Sequence, residues 1–459
     1  MMDTKIIHGI RETPDMVCKI LESSAMAISD DRHRNQRTLI LVTALFFLWG
    51  LLASMNDILV PYLKSVFDLS YSHAMLVQAS FFCAYLFFAI PSGRCLERCG
   101  YKRMMVAGLT MMGIGALLFV MAASMASFTV FLVAFSTLAT GVTILQVTAN
   151  PYIATLGPEA TASSRLTLAQ GFNSLGTTIS PYLGGLFILR TAVGDEDEIV
   201  RMSAAGLHAY RLHRVAAIKL PYMALAICIF IFVIFITQWR FPSLSAPSKK
   251  LGGLTTDSET RKWWRKRNFV GGTIGVFLYV GAEVAIGSFL VNYLTRPEIG
   301  SITEQVASVY VSLYWGGAMI GRFIGAGLFR KLQPGNVLGI AAIAACSLIC
   351  ISMVSSYAFA MWSIVLVGVF NSVMFPSIFT LAIRGLGPFT PRASGILITA
   401  ISGGAVIPLL QGILADHIGV QHAFLLPALC YLYIVFYAFR EAQVPLSLPQ
   451  QVQPDRSSG

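Results

Sequence analysis

Gly176-Thr-Thr-Ile-Ser-Pro181-Tyr-Leu-Gly-Gly185 and Gly403-Gly-Ala-Val-Ile-Pro408-Leu-Leu-Gln-Gly412 carry glycine, proline and glycine at the same internal spacing, 227 residues apart (403 − 176). Working outward, Gly93, Leu96 and Arg98 return as Gly325, Leu328 and Arg330. Phe47-Leu-Trp-Gly50 and Pro61-Tyr-Leu63 are echoed by Phe277-Leu-Tyr-Val-Gly281 and Asn292-Tyr-Leu294. The offset is 232 (325 − 93) or 231 (294 − 63) early in each half and 227 late, as an old duplication with a few small deletions leaves it. Two similar helical half-bundles facing one site can rock between two openings, so the repeat points to a transporter.

Hydrophobic residues make up 56% of the chain and charged residues 12%, with a mean hydropathy of +0.69. Soluble domains carry about 25% charged residues. About 20 apolar residues cross the hydrocarbon of a bilayer, and such runs stand near 39–63, 73–93, 104–124, 128–156, 166–190, 218–238, 270–295, 305–329, 336–354, 357–384, 393–415 and 420–439. The expected fold is an all-α membrane protein of twelve transmembrane helices in two pseudo-symmetric six-helix halves. The division expected is a tail 1–37, a first half 38–240, a linker 241–268, a second half 269–440 and a tail 441–459.

The net charge of +11 invites a nucleic-acid reading, but its sources alternate along the chain. Arg32, Arg34 and Arg37 precede span one; Arg94, Arg98, Lys102 and Arg103 join spans two and three; seven Lys and Arg residues between Lys249 and Arg267 fill the linker. The opposite short loops hold mainly Lys64 and Arg296. The positive-inside rule then places both termini in the cytoplasm. The connection between spans five and six, with Arg190, Arg201, Arg211, Arg214 and Lys219 beside the acidic run Asp195 to Glu198, fits the rule as a longer loop. The polar N-terminal tail has no apolar core followed by a cleavage site, so span one is expected to direct insertion. Cys95 and Cys99 lack a second pair or a neighbouring His, and no metal or cofactor is expected.

Phe46-Phe-Leu-Trp-Gly-Leu-Leu-Ala-Ser-Met-Asn56-Asp57-Ile-Leu-Val-Pro61, Thr148-Ala-Asn150-Pro151-Tyr and Ser164-Arg165-Leu-Thr-Leu-Ala-Gln170-Gly-Phe-Asn173-Ser resemble the fucose:proton symporter branch of the major facilitator superfamily, and within it the bacterial glucose/galactose subgroup. In the second half Tyr279-Val-Gly-Ala-Glu283, Trp315-Gly-Gly-Ala-Met-Ile-Gly-Arg322 and Phe370-Asn371-Ser-Val-Met-Phe-Pro376 carry the same resemblance. The loop motif of the superfamily is present in loosened form through Gly93, Glu97, Arg98, Gly100, Lys102 and Arg103, and the resemblance gives Glu97 and Arg98 a gating or structural role. One departure counts: where fucose symporters carry a glutamate implied in proton coupling, this chain has Gln146, as the glucose/galactose subgroup does.

An ionised carboxylate inside a bilayer costs about 3 kcal/mol on insertion scales, so each one needs a reason. Asp57 in span one and Glu283 in span seven are the candidates for proton coupling, Asp57 first because the resemblance and the burial cost agree. A structural carboxylate is the alternative for Asp57, bonded to Asn56 or organising a gate. Glu283 has two readings: it holds sugar hydroxyls, or it pairs with a cation elsewhere. A hexose needs convergent donors and acceptors, and Gln146, Gln170, Asn173 and Asn371, with Asn56 and Glu283, are the candidate sugar ligands. Gln170 and Asn173, three apart, share a helix face. Bonding between helices is the competing use of these amides. Trp49, Trp315, Tyr310 and Phe47 could stack on a sugar, although packing is the ordinary use of such rings. Arg322 reads as an inner-gate anchor or a side chain snorkelling to the headgroups, and Pro181 and Pro408 as matched kinks.

The expected function is secondary active import of glucose or galactose by alternating access, coupled to protons, with sodium as the alternative ion. A fucose or N-acetylglucosamine symporter is one alternative and a non-transporting membrane sugar sensor another. The partners expected are a monosaccharide, the coupling ion and lipid, not nucleic acid, in a monomeric, multi-pass protein of the bacterial inner membrane. An enzyme is disfavoured, because no nucleophile-and-base set, metal cluster or phosphate loop stands out.

Overall fold

A computed structural model of the chain describes residues 34–55, 59, 62–63, 66–67, 71–187, 204–242 and 263–441. Asn56 and Asp57 lie outside the described residues, as do most of both tails and of the linker. The described chain forms twelve long helical segments: α1 Arg34–Met55, α2 Tyr71–Cys99, α3 Tyr101–Met125, α4 Phe128–Thr155, α5 Ala162–Phe187, α6 Ala204–Gln238, α7 Arg267–Leu294, α8 Glu304–Leu328, α9 Pro334–Val354, α10 Tyr357–Ile383, α11 Gly387–Ile418 and α12 Val420–Arg440. Nine of these are long and apolar enough to cross a membrane.

The segments fall into two compact units, Met1–Ala84 with Pro91–Gly253, and Tyr85–Ile90 with Leu254–Gly459. In the first, α3 packs against α4 and α6; in the second, α9 packs against α10 and α12, the same pairing six helices on. The duplicated glycines explain a further repeated contact. A Cβ on Gly176 of α5 would run into the Phe47 carbonyl of α1, and one on Gly403 of α11 would run into the Phe277 carbonyl of α7. Only a residue without a side chain lets the two backbones meet so closely. Gly412 differs, since a Cβ there would make an ordinary 3.5 Å contact with the Phe289 ring.

Gly403→Val should therefore cost about 1–3 kcal/mol of stability through overpacking, while Gly412→Ala leaves the melting temperature nearly unchanged. Thermal melting of the purified protein in detergent decides this; equal losses in the two variants would contradict the seam as described.

Lipid-facing surfaces are visible in the exposed residues. Leu425, Leu429, Leu432 and Phe436 stand at helical spacing along α12, and Leu220, Ile227, Ile231 and Ile234 along α6. Apolar faces this long belong to helices covered by hydrocarbon.

Several boundaries differ from the sequence reading, among them the end of α2 at Cys99 and the start of α11 at Gly387, each six residues outside its apolar run (99 − 93 and 393 − 387). Helix α1 starts at Arg34, inside the expected tail. Helix α6 starts at Ala204, fourteen residues before the apolar run (218 − 204), and takes in residues read as loop. There Arg214 is buried, its guanidinium 5.7 Å from the Tyr62 ring centre and 5.5 Å from that of Tyr210, while the Tyr62 hydroxyl donates to the Arg214 carbonyl at 2.7 Å. Cation–π contact and aliphatic packing let a basic residue sit in a helix wall.

Candidate functional site

In the second unit a polar network grows around a break in α10. The helix is interrupted at Ser372 and Val373, between Asn371 and Met374. Pro376 has no N–H to offer the carbonyl of Ser372, and carbonyls freed at such a break need other donors. The Tyr279 hydroxyl of α7 donates to the Asn371 carbonyl at 2.9 Å. The Asn371 side chain then joins two more helices: Nδ2 donates to the Tyr314 hydroxyl of α8 at 2.7 Å, and Oδ1 accepts from the Tyr431 hydroxyl of α12 at 2.7 Å. Asn371, Tyr314 and Tyr431 are fully buried.

Glu283 stands one turn beyond Tyr279 on α7, and the Tyr314 hydroxyl donates to its backbone carbonyl at 3.5 Å. Its Oε1 lies 3.9 Å from Arg322 Nη2, and both side chains are largely buried. Arg322 of α8 thus lies beside Glu283 as its counter-charge. Glu283 Oε1 makes no hydrogen bond. The result is a buried charge pair beside the tyrosine network, with spare acceptor capacity on the glutamate.

In the first unit the amides are drawn into bonds between helices. Gln170 Nε2 of α5 donates to Asn150 Oδ1 of α4 at 3.3 Å, and Asn150 Nδ2 is buried without a hydrogen-bond partner. Asn173 Nδ2 donates to the Phe46 carbonyl of α1 at 2.9 Å. Gln146 is half-buried on α4, one turn before Asn150 and on the same face. Trp49 is buried against Phe46, ring centres 4.3 Å apart.

The remaining predicted residues are scattered. Glu97 and Arg98 are exposed at the C-terminal end of α2. Pro181 is exposed within α5 and Pro408 half-buried within α11. Sequence reasoning missed Arg165, which clamps the α4–α5 turn by donating from Nε to the Ile153 carbonyl at 3.0 Å, from Nη2 to the Ala154 carbonyl at 2.6 Å and from Nη1 to the Pro158 carbonyl at 3.0 Å. It also missed the three tyrosines; the four-residue spacing of Tyr279 and Glu283 was the available signal.

This arrangement of twelve helices in two units has known counterparts. The sequence pattern of the Major Facilitator Superfamily matches residues 42–407. The chain belongs to that superfamily. Among its relatives, a glucose/galactose transporter of Brucella abortus is 45% identical over 396 residues, 86% of this chain and 92% of that one. The L-fucose-proton symporter of Escherichia coli is 31% identical over 427 residues, 91% and 97% of the two chains. A crystal structure of the Escherichia coli fucose:proton symporter superposes with a TM-score of 0.81 at 31% identity, covering 88% of this chain and 98% of that one. Superfamily membership makes this chain a multi-pass membrane transporter and not an enzyme.

Proposed function

We propose that the chain imports a hexose, glucose or galactose, together with a proton by alternating access of its two halves. The observation that carries this reading is the 45% identity, nearly end to end, to a protein named as a glucose/galactose transporter. The 31% identity to a proton symporter supports the proton as the coupling ion. Asp57 takes up a proton from outside, the sugar binds, the opening passes from one side of the membrane to the other, and the proton leaves to the less acidic cytoplasm. The setting is the inner membrane of a bacterium, both termini are cytoplasmic, and the monomer is the working unit.

Glu283 is the charged sugar ligand of the second half, with Arg322 holding it in place. Asn371 acts as a positioning residue, orienting the Tyr314 and Tyr431 hydroxyls. Gln146, Gln170, Asn173 and Asn56 supply the first half's amides, Gln170 and Asn173 exchanging their helix-to-helix bonds for sugar hydroxyls when the site opens. Glu97 and Arg98 belong to the inner gate.

Counterflow tests the substrate. Proteoliposomes loaded with unlabelled glucose are expected to take up labelled glucose, with galactose blocking and fucose and N-acetylglucosamine leaving uptake intact. Block by fucose or by the amino sugar alone would move the substrate assignment. Glucose binding without counterflow would make the protein a sensor.

A further inference from the structure

Three amides of the second unit are buried among the described residues, and two of them make hydrogen bonds. Asn268 Nδ2 caps the end of α10 through the carbonyls of Leu381 and Arg384, at 3.0 and 3.2 Å. Asn371 joins the tyrosine network. The third, Gln411 of α11, is 0% exposed, and neither its Oε1 nor its Nε2 has a hydrogen-bond partner. A buried polar atom left without a partner keeps its full desolvation cost, and this side chain carries two.

Gly403, Ile407 and Gln411 follow one another at four-residue spacing, all buried, on one face of α11. That face lies on α7: Gly403 meets Phe277, Ile407 meets Gly281, and further on Gly412 meets Phe289. The helices therefore run in the same direction along this seam. Glu283 is two residues past Gly281 and Gln411 four past Ile407, so they differ in depth by about 3 Å at 1.5 Å per residue. Gln411, which has no partner, and Glu283, whose Oε1 has the Arg322 ion pair but no hydrogen bond, thus share a depth on neighbouring helices, although two residues past Gly281 turn Glu283 about 200° from the α11 seam toward α8.

The fold does not demand an amide here. The 227-residue offset that pairs Gly176 with Gly403 pairs Gln411 with Gly184, so the first half does without one. We infer that Gln411 is a further sugar-reading residue, whose amide accepts from one ring hydroxyl and donates to its neighbour when the seam between α7 and α11 loosens. The 3₁₀ turn Ala400–Ser402 and Pro408, both within α11, are the points at which that helix can yield. This inference rests on the hexose reading above.

The test is labelled glucose uptake and thermal melting of the wild type and Gln411→Leu, with deoxyglucoses as competing sugars. Leu removes both orphaned atoms at similar volume, so the variant is expected to melt at or above the wild-type temperature. Its KM for glucose should rise about 10- to 100-fold, the worth of two neutral hydrogen bonds. One deoxyglucose should compete less well than glucose in the wild type and equally well in the variant, naming the hydroxyl that Gln411 reads. Gln411→Asn, which keeps the amide on a shorter arm, should fall between the two in KM. A wild-type KM in Gln411→Leu, or a lower melting temperature with no change in sugar preference, would overturn the inference and make the amide structural. Absence of glucose uptake by the wild type would instead overturn the functional reading on which it rests.

Discussion

Arg322→Ala is expected to abolish transport and to lower stability by about 3–5 kcal/mol, the usual cost of leaving half of a buried ion pair behind. The reason lies in α7 and α8. Glu283 is 9% exposed, its Oε1 has no hydrogen bond, and the guanidinium at 3.9 Å is the cation that offsets its desolvation. Removing the guanidinium leaves an anion in a site walled by Tyr279 and Tyr314. Adding Glu283→Gln removes the uncompensated charge, so the double variant should recover most of the lost melting temperature without recovering transport. A double-mutant cycle in detergent measures this coupling directly. Additive losses from the two substitutions would show that the pair contributes no interaction energy. The separation of stability from activity is the useful outcome: rescue of folding alone means that the carboxylate is kept for the sugar and not for the fold.

Asp57→Asn is expected to eliminate accumulation of sugar against its gradient while exchange of sugar across the membrane continues. Coupling requires that proton and sugar bind one state together more favourably than either alone. An amide at position 57 keeps the volume and the hydrogen bonding of the protonated acid, so the sugar site survives, but it has no proton to release inside. The two uptake modes read these steps apart: counterflow needs only sugar binding and rocking, and uphill uptake needs the carrier as well. Undiminished accumulation in the variant would pass the carrier role to Glu283. That outcome would require the Arg322 pair to open during the cycle.

The helices themselves were readable because a bilayer demands about 20 apolar residues in a row. Helices α3, α4, α9 and α10 begin and end within about three residues of the apolar runs. Helix α6 was not readable at its start, since Arg211, Arg214 and Lys219 look like a loop until Tyr62 and Tyr210 are seen around the Arg214 guanidinium. Glu283 stands out in the sequence by its charge, but nothing in the sequence names Arg322 as its neighbour. Arg322 lies near the end of its span in sequence, and only the packing of α8 against α7 and α10 shows which way it turns. The tyrosines escaped for a related reason: Tyr279, Tyr314, Asn371 and Tyr431 stand on four helices, and tyrosine is common wherever a helix is half apolar. Gln411 sat inside the quoted repeat itself, where the glycines and proline drew the reading and the one polar residue did not.

The central claim is that sugar movement is driven by protons, and gradient-driven uptake into proteoliposomes tests it most directly. Purified protein is reconstituted with an inward proton gradient, no sodium gradient and labelled glucose outside. Labelled glucose is expected to accumulate above the external concentration, to lose that accumulation on adding a protonophore, and to meet competition from galactose. Uptake that only equilibrates whatever the proton gradient, or that accumulates only under a sodium gradient, would contradict it.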